Sequence, residues 1–169
     1  MFDDAILEFK QAVSIQPEFD IAWSNLAISF TRKKLYEEAK KAYFKAIEID
    51  SKWSDHHVNL GWLYLNIDQV NEASEEGKVA LKLNPDNEWA YDLFGNIHIS
   101  QGKLKEAINS YKKAISLCPK DDAYLPSYYF TLGLLYVEIG DKSEARKQFR
   151  SALKIRPNYW EAEKQLKKL

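Results

Sequence analysis

The sequence is short of cysteine, of turn-forming residues and of net charge. Cys118 is its only cysteine, so an internal disulfide is excluded and a zinc site built on cysteines is implausible. Six glycines and five prolines in 169 residues are few for a β-sandwich, whose short strands need frequent turns. The formal net charge of −1 gives no electrostatic reason to expect nucleic acid or an anionic membrane surface as a partner.

Long apolar runs are also lacking. No stretch approaches the length of a membrane-spanning helix, and no charged-then-apolar leader stands at the N-terminus. We therefore expect no direct membrane insertion and a cytoplasmic location, although a leader or an anchor could be missing if the chain is a fragment. The chain does have apolar residues, 46% of the total with five Trp, ten Tyr and eight Phe, which is enough for a packed core.

Five similar segments recur along the chain, and each has the apolar spacing of an amphipathic helix. The first three steps between them are 34 residues long and the last is 38, measured between the alanines Ala5, Ala39, Ala73, Ala107 and Ala145. A second alanine follows each of these after seven residues. The segments end at Pro17, Ser51, Pro85, Pro119 and Pro157. Self-similarity at this period predicts a repeat protein.

Four other segments lie between these five and match one another. Each places a small residue directly after a large one, at Leu26–Ala27, Leu60–Gly61, Phe94–Gly95 and Leu132–Gly133. A ring follows three residues after each small residue, at Phe30, Tyr64, His98 and Tyr136. Small residues on both helices of a hairpin let the backbones approach, and the rings fill the space to the next hairpin. Such a periodic core stacks in one direction.

This pattern, W-x2-L-G-x2-Y followed by A-x3-F-x2-A and a proline, resembles the tetratricopeptide repeat. One copy is formed by Trp23, Leu26, Ala27, Phe30, Ala39, Tyr43 and Ala46, and another by Tyr129, Leu132, Gly133, Tyr136, Ala145, Phe149, Ala152 and Pro157. The resemblance covers essentially the whole chain. It implies an all-α fold, a right-handed superhelical α-solenoid of antiparallel helix pairs.

The repeat divides the chain into four full units with additions at both ends. Residues 1–19 are expected to be the orphan second helix of a truncated repeat, because Met1 falls at the turn between two helices. This helix indicates either an excerpt from a longer array or self-association through its uncovered apolar face. The full repeats are placed at 20–53, 54–87, 88–121 and 126–159, with an insertion at 122–125. Residues 160–169 are expected to form a capping helix, with Trp160, Leu166 and Leu169 on one stripe, or else the first helix of a further repeat.

Several positions depart from the pattern. Gly77 replaces the ring of the other second helices, so either a bulky neighbour such as Trp62 or Trp89 fills the gap or a local pocket forms there. Lys34 and Asp68 stand where Gly102 and Gly140 occupy the other turns. Because left-handed backbone is easiest for glycine, we expect the turns at Lys34 and Asp68 to be strained or differently shaped.

The insertion also raises two questions. The extra residues either lengthen the linker or extend the next helix upstream, and the alternative is that Tyr124 and Leu125 bind a partner. Pro126 is tolerable only in the first turn of the next helix. Asp121 or Asp122 is the expected N-cap of that helix.

Catalytic or metal-binding patterns are hard to find. His56 and His57 are adjacent and point about 100° apart on a helix, whereas metal pairs need i, i+4 spacing. His57 and His98 also occupy packing positions of the repeat. No phosphate-binding loop, nucleophile elbow or zinc-hydrolase motif is present, and we expect no enzyme activity, no cofactor and no metal site.

The resemblance implies that the first helices line a concave groove, and it supplies a candidate peptide-binding set. The set is Asn25, Ile28, Arg32, Asn59, Trp62, Asn66, Trp89, Leu93, Asn96 and Phe130. Trp89 and Leu93 stand where chaperone-binding members of the family carry a basic pair, so the carboxylate clamp is missing. Asn25 and Asn59 partly match the asparagine ladder of the glycosyltransferase that adds O-linked N-acetylglucosamine.

The sequence therefore predicts a non-catalytic scaffold that binds a short apolar or amphipathic peptide segment of another protein. Rings such as Trp62 and Trp89 would anchor the peptide, so affinity should depend little on salt. The alternative is a substrate-recruiting arm of a larger enzyme, for example one like that glycosyltransferase, whose catalytic domain lies outside this chain. RNA binding is disfavoured because Arg32 is the only basic residue among the groove positions.

Overall fold

A computed structural model describes residues 2–169, and over that range the chain consists of ten α-helices with no strand. The prediction of an all-α repeat fold of helix pairs is confirmed. Met1, on which part of the expectation for residues 1–19 depends, lies outside the described residues. The repeat boundaries themselves stay a prediction.

The chain divides into two compact units, with the division between Pro85 and Asp86. Unit 1 contains α1 (Phe2–Ile15), α2 (Asp20–Arg32), α3 (Tyr36–Ile49), α4 (Ser54–Asn66) and α5 (Val70–Leu83). Unit 2 contains α6 (Glu88–Ser100), α7 (Leu104–Leu117), α8 (Leu125–Glu138), α9 (Lys142–Ile155) and α10 (Trp160–Leu166). None of the described helices is long and apolar enough to cross a membrane.

The repeated alanines of the second helices lie at the tightest helix contacts. Ala39, Ala46, Ala73, Ala80, Ala107, Ala114, Ala145 and Ala152 are all fully buried, at 0% exposure. A methyl side chain lets neighbouring helix backbones approach closely, and alanine also has the best helix propensity. The sequence periodicity therefore identifies the packed face of α3, α5, α7 and α9.

Each unit has its own apolar core. In unit 1, Leu26, Tyr43, Leu60 and Leu63 are buried together, and Phe9 of α1 packs against them. In unit 2, Tyr111, Tyr128, Leu132 and Phe149 form the centre of the buried cluster. The two buried clusters share no residue, so each unit has a separate core.

The inter-helix turns contain the strain that the sequence predicted. Lys34 and Asp68 both have φ of 60°, and Gly102 and Gly140 have φ of 69° and 85° at the corresponding turns. The same left-handed turn is therefore made with glycine in unit 2 and with side-chain-bearing residues in unit 1. Each of the two non-glycine residues costs about 1–2 kcal/mol relative to an unstrained conformation.

The insertion before α8 folds differently from the sequence prediction in one respect. Pro126 lies in the first turn of α8, as predicted. The predicted N-cap, Asp121 or Asp122, is wrong, because Tyr124 is the N-cap and its side chain makes no capping bond. Asp122 instead accepts a hydrogen bond from the Tyr124 backbone N–H at 2.7 Å. The aspartate therefore stabilises the turn before the helix, in the way typical of Asx turns.

The stripe predicted for the last helix is partly wrong. Leu166 and Leu169 pack against the core of unit 2, but the Trp160 side chain is 62% exposed. Trp160 is the first residue of α10, and Ala162 is the fully buried residue of this helix. The contact is therefore made by a small residue, and the large ring lies outside it.

Candidate peptide-binding surfaces

The candidate residues of unit 1 lie on α2 and α4. The Asn59 side-chain amide donates to the Ser24 hydroxyl at 3.4 Å, which joins the two helices. Asn25 and Trp62 are half-buried, and Ile28, Arg32 and Asn66 are exposed. Trp62 thus keeps part of its indole surface accessible, as an anchor for a partner requires, and the amides of Asn25 and Asn59 lie on the same helices.

The candidate residues of unit 2 centre on the half-buried ring of Trp89, the second residue of α6. The Tyr124 ring packs edge-on against it with centroids 4.6 Å apart and an interplanar angle of 81°. The Tyr128 ring is also edge-on, at 6.5 Å and 75°. Tyr124 is 53% exposed whereas Tyr128 is 3% exposed. The three rings therefore form an aromatic cluster with one open wall.

A polar cluster lies beside these rings, and we call it the Asp92 cluster: Asp92, Asn96, Tyr111 and Tyr128. Asp92 follows Trp89 by three residues and precedes Asn96 by four, so all three lie on one face of α6. The Asn96 amide donates to the Asp92 carboxylate at 3.0 Å and to the Tyr111 hydroxyl at 2.7 Å. The Tyr111 side chain also hydrogen-bonds to Asp92.

The Asp92 carboxyl group is the unusual charge of this cluster. Burial raises its pKa from 3.8 to about 6, even though the hydrogen bonds from Tyr111 and Asn96 act in the opposite direction. These hydrogen bonds therefore offset only part of the free-energy cost of removing water from the ionised carboxylate. Burial also raises the pKa of Tyr128, and the charge of Asp92 contributes next to that rise.

The Tyr128 hydroxyl is a second unusual group. It is buried and has no hydrogen-bond partner among the residues that the structure describes. Most buried polar groups in proteins are hydrogen-bonded, so an exception of this kind needs an explanation.

Two members of the predicted set have other roles. Leu93 is fully buried, so its assignment as a contact residue is wrong: its side chain faces the core of the unit. Phe130 is half-buried and packs against the rings of Phe149 and Tyr159, at 5.7 and 5.1 Å. Trp89 and Asn96 remain in the candidate surface of unit 2, and their contribution to binding stays a prediction.

Sequence reasoning missed Asp92, Tyr111 and Tyr128 as a cluster. One signal was available, since the four-residue spacing of Asp92 and Asn96 places a carboxylate and an amide side by side on α6. The two tyrosines come from α7 and α8 and match the pattern of core rings. The hydrogen bond between Tyr111 and Asp92 and the packing of Tyr128 against Tyr111 are tertiary features that no local spacing encodes.

The three histidines each have a structural partner. His56 is 2% exposed and lies 2.9 Å from an Asp20 carboxylate oxygen. His57 lies 2.7 Å from a Glu76 carboxylate oxygen, and His98 lies 3.2 Å from the Ser110 hydroxyl. Within residues 2–169 no group of three histidine, cysteine or carboxylate side chains is placed to hold a metal ion.

The single cysteine has the environment of a packing residue. Cys118 is 8% exposed. Burial raises the pKa of its thiol to about 11, with the charges of Asp122 and Glu88 acting in the same direction. A thiol with a raised pKa is mostly protonated near neutral pH and is therefore a poor nucleophile.

Helix pairs with aromatic and amide side chains on their first helices define a helical-repeat interaction module, a class of fold that is generally non-catalytic. Three profiles place the chain within that class: a TPR repeat profile matches residues 95–140, and tetratricopeptide repeat profiles match residues 21–52 and 126–159. The chain belongs to the tetratricopeptide repeat family, a family of protein-interaction repeat modules.

Two relatives and one solved structure illustrate the similarity. BBSome complex member BBS4 of Mus musculus is 34% identical over 131 residues, 77% of this chain and 24% of its own length. Protein O-mannosyl-transferase TMTC3 of Homo sapiens is 27% identical over 154 residues, 89% of this chain and 16% of its own length. TTC0263, a thermophilic TPR protein of Thermus thermophilus, has a TM-score of 0.84 at 20% identity and covers 99% of this chain and 89% of its own.

The chain thus spans about a quarter or less of the length of these two relatives. The likeness to the solved structure, at 20% identity, concerns the fold.

Proposed function

We propose that the chain is a non-catalytic scaffold whose first helices bind a short apolar or amphipathic peptide segment of a partner protein. The observation that carries this proposal is the accessible aromatic surface on those helices, Trp62 in unit 1 and Trp89 with Tyr124 in unit 2. Aromatic residues supply much of the binding energy in protein interfaces because they bury large areas at small entropic cost. Asn25, Asn59 and Asn96 would hold the peptide backbone by hydrogen bonds.

The relatives support this proposal at the level of their names. A protein named as a member of a complex is 34% identical over most of this chain, and a scaffold is the kind of part that such an assembly uses. Because the rings of the candidate surface are apolar, salt should weaken binding little. Self-association through the exposed Leu7 and Ile15 of α1 stays a separate prediction.

The test uses a displayed library of random peptides selected on the chain. The strongest binders are then titrated against the wild type, the double variant Trp62→Ala/Trp89→Ala, and Trp160→Ala. The double variant should bind roughly 30-fold or more weakly, as expected for the loss of interface hot spots. Trp160→Ala removes an equally large but exposed ring from α10 and should bind like the wild type.

Two results would contradict the proposal. One is a library that yields no binder, and the other is binding that both variants weaken equally. Far-UV circular dichroism and thermal melting of each variant exclude unfolding as the cause of a loss.

A second candidate is supported by the other relative. TMTC3 is named as a transferase, and the chain matches 16% of its length, so a helical array of this kind can be one part of an enzyme. In that case the bound peptide would be a segment of the enzyme's substrate. The full coding sequence distinguishes the two, because a transferase domain in the same reading frame supports the second and a frame made only of repeats supports the first.

A further inference from the structure

The strongest unexplained feature of the molecule is the Asp92 cluster of unit 2. It joins a half-buried carboxylate, an amide, two tyrosines and the neighbouring indole of Trp89 on three helices, α6, α7 and α8. The packing of the repeat does not require a carboxylate here. The corresponding first-helix positions in unit 1 hold Ser24 and Val58, which are neutral and buried.

We propose that the Asp92 cluster is a recognition pocket for a positively charged side chain, lysine or arginine, of the partner's peptide segment. This inference rests on the proposed function and adds the chemistry of one contact. The Asp92 carboxylate is the anion, and the edge-on rings of Trp89, Tyr124 and Tyr128 are the walls. Carboxylates accept strong hydrogen bonds from cations, and aromatic faces attract cations through their quadrupoles.

The hydrogen-bond arrangement of the pocket favours a ligand that donates. Asn96 and Tyr111 hold the Asp92 carboxylate in place, but an ionised carboxylate accepts up to about four hydrogen bonds, so acceptor capacity remains. The Tyr128 hydroxyl is a further buried oxygen without a partner in the described structure, on a ring that packs against Tyr111. Ammonium and guanidinium groups have several donors and no acceptor, so they match such a set of oxygens.

The free-energy cost of burying the ionised Asp92 carboxylate also favours a cationic ligand. Burial disfavours the charged form of Asp92 and raises its pKa to about 6, so the free protein is destabilised by keeping an anion here at neutral pH. A bound cation would offset that penalty. Because the pair would be partly buried, salt would screen it only weakly, which agrees with the weak salt dependence expected for the whole interface.

The titratable groups around the site determine its response to pH. Asp92 is in contact with the Tyr111 hydroxyl, and burial raises the pKa values of Tyr111 and Tyr128, so both stay neutral. The charges of Cys118, Glu88 and Asp122 raise the pKa of Tyr128 further. Asp92 is therefore the carboxyl group of the site whose charge changes when the pH falls from about 7.5 to about 5. His98 also lies on α6, and burial lowers the pKa of its imidazole.

The test uses capped tripeptides that contain one variable residue: acetyl-Ala-Arg-Ala-amide, the lysine analogue, and the glutamine analogue as a neutral control. Millimolar additions to the isotope-labelled chain are followed by nuclear magnetic resonance at the Trp89 indole N–H and the Asn96 side-chain amide. At about pH 7.5 the arginine or lysine peptide should shift both signals and the glutamine peptide should not. Asp92→Asn should weaken the response about tenfold, and so should about pH 5, where Asp92 is largely protonated.

Glu138→Gln is the matched control, because it removes another carboxylate from a first helix of the same unit, where Glu138 is exposed. It should leave the response unchanged. Equal shifts with the glutamine peptide, or an unchanged response in Asp92→Asn, would overturn the proposal. If the arginine or lysine tripeptide shifts the signals but the library yields no binder, the proposed function is contradicted and this inference is not. Selected peptides that need Trp62 and Trp89 but not Asp92 would contradict this inference alone.

Discussion

The two units make the same inter-helix turn with different residues. In unit 1 the left-handed positions are Lys34 and Asp68, and in unit 2 they are Gly102 and Gly140. No atom lies within 4 Å of where a Cβ would be at either glycine, so the difference is one of backbone preference and not of space. An exposed turn can therefore keep an unfavourable residue, at a moderate cost in stability, without changing the fold.

At the contact between paired helices, in contrast, the available space limits which residue fits. Unit 1 has the fully buried Ala27 in α2 and a buried glycine at position 61 in α4, and unit 2 has glycine at positions 95 and 133. A Cβ added at Gly95 would lie 2.6 Å from the Tyr111 ring, and one at Gly133 would lie 2.6 Å from the Phe149 ring. A methyl group is therefore accommodated at position 27, whereas at positions 95 and 133 it would overlap the neighbouring ring.

The candidate binding surfaces differ as well. The first helices of unit 1 are joined by the contact between Asn59 and Ser24 and by the pair of His56 and Asp20. Those of unit 2 contain an ionisable group, Asp92, among three tyrosines and a tryptophan. This difference gives unit 2 a buried carboxyl group whose protonation should affect stability and binding.

The largest expected effect tests that pH dependence. The folded protein holds the Asp92 proton more tightly than the unfolded chain, because the pKa is raised from 3.8 to about 6. The stability due to Asp92 is thus fully present below about pH 4 and is lost as the pH rises through about 6. The side chain of the Asp92→Asn variant cannot ionise. The free energy of unfolding of this variant, relative to that of the wild type, should therefore rise by up to about 3 kcal/mol between pH 4 and pH 7.

Urea denaturation of both proteins at a series of pH values measures this difference, and Glu138→Gln again serves as the control. The other carboxylates titrate in wild type and variant alike, so they cancel. If the difference in free energy of unfolding between wild type and Asp92→Asn stays constant across this pH range, burial does not raise the pKa of Asp92.

A smaller effect tests the helix contact. Gly133→Ala should destabilise the protein by about 2 kcal/mol, because the added methyl group would overlap the fully buried Phe149 ring. The cost of this overpacking exceeds the gain in helix propensity from glycine to alanine. In unit 1 the reverse change, Ala27→Gly, should also destabilise, by about 1 kcal/mol. Denaturant midpoints measure both. A Gly133→Ala protein as stable as the wild type would mean that the ring can move aside.

The smallest effect tests the turns. Lys34→Gly and Asp68→Gly should each raise the free energy of unfolding by about 1 kcal/mol, because glycine adopts the left-handed conformation without a Cβ penalty. Gly102→Ala and Gly140→Ala should lower it by a similar amount. Thermal and denaturant melting of the four variants would show the opposite signs in the two units. Uniform signs would contradict the comparison of the turns.

Much of the fold could be predicted because it depends on local spacing. The alanine pairs identified the buried face of each second helix, the left-handed positions were found by comparing Lys34 and Asp68 with glycine, and Pro126 placed the start of α8. The N-cap of α8 could not be predicted in this way, because Asp122 satisfies the Tyr124 N–H in a preceding turn. A local pattern does not distinguish a helix cap from a turn just before it.

The candidate site was only partly predictable because accessibility depends on neighbouring helices. Trp62 and Trp89 are half-buried, which leaves them available as proposed anchors, but Leu93 proved to be a core residue. Asp92 was visible as a first-helix residue, yet its partner Tyr111 lies on α7, and Tyr128, which packs against Tyr111, lies on α8. That environment exists only after the three helices have packed.

The most direct test of the central claim, that first-helix rings bind a partner peptide, is a ratio of dissociation constants. A library-selected peptide is titrated against Trp62→Ala/Trp89→Ala and against Trp160→Ala under the same conditions. We predict that the double variant binds roughly 30-fold or more weakly than the Trp160→Ala control. A ratio near one, with both proteins folded, would contradict the account.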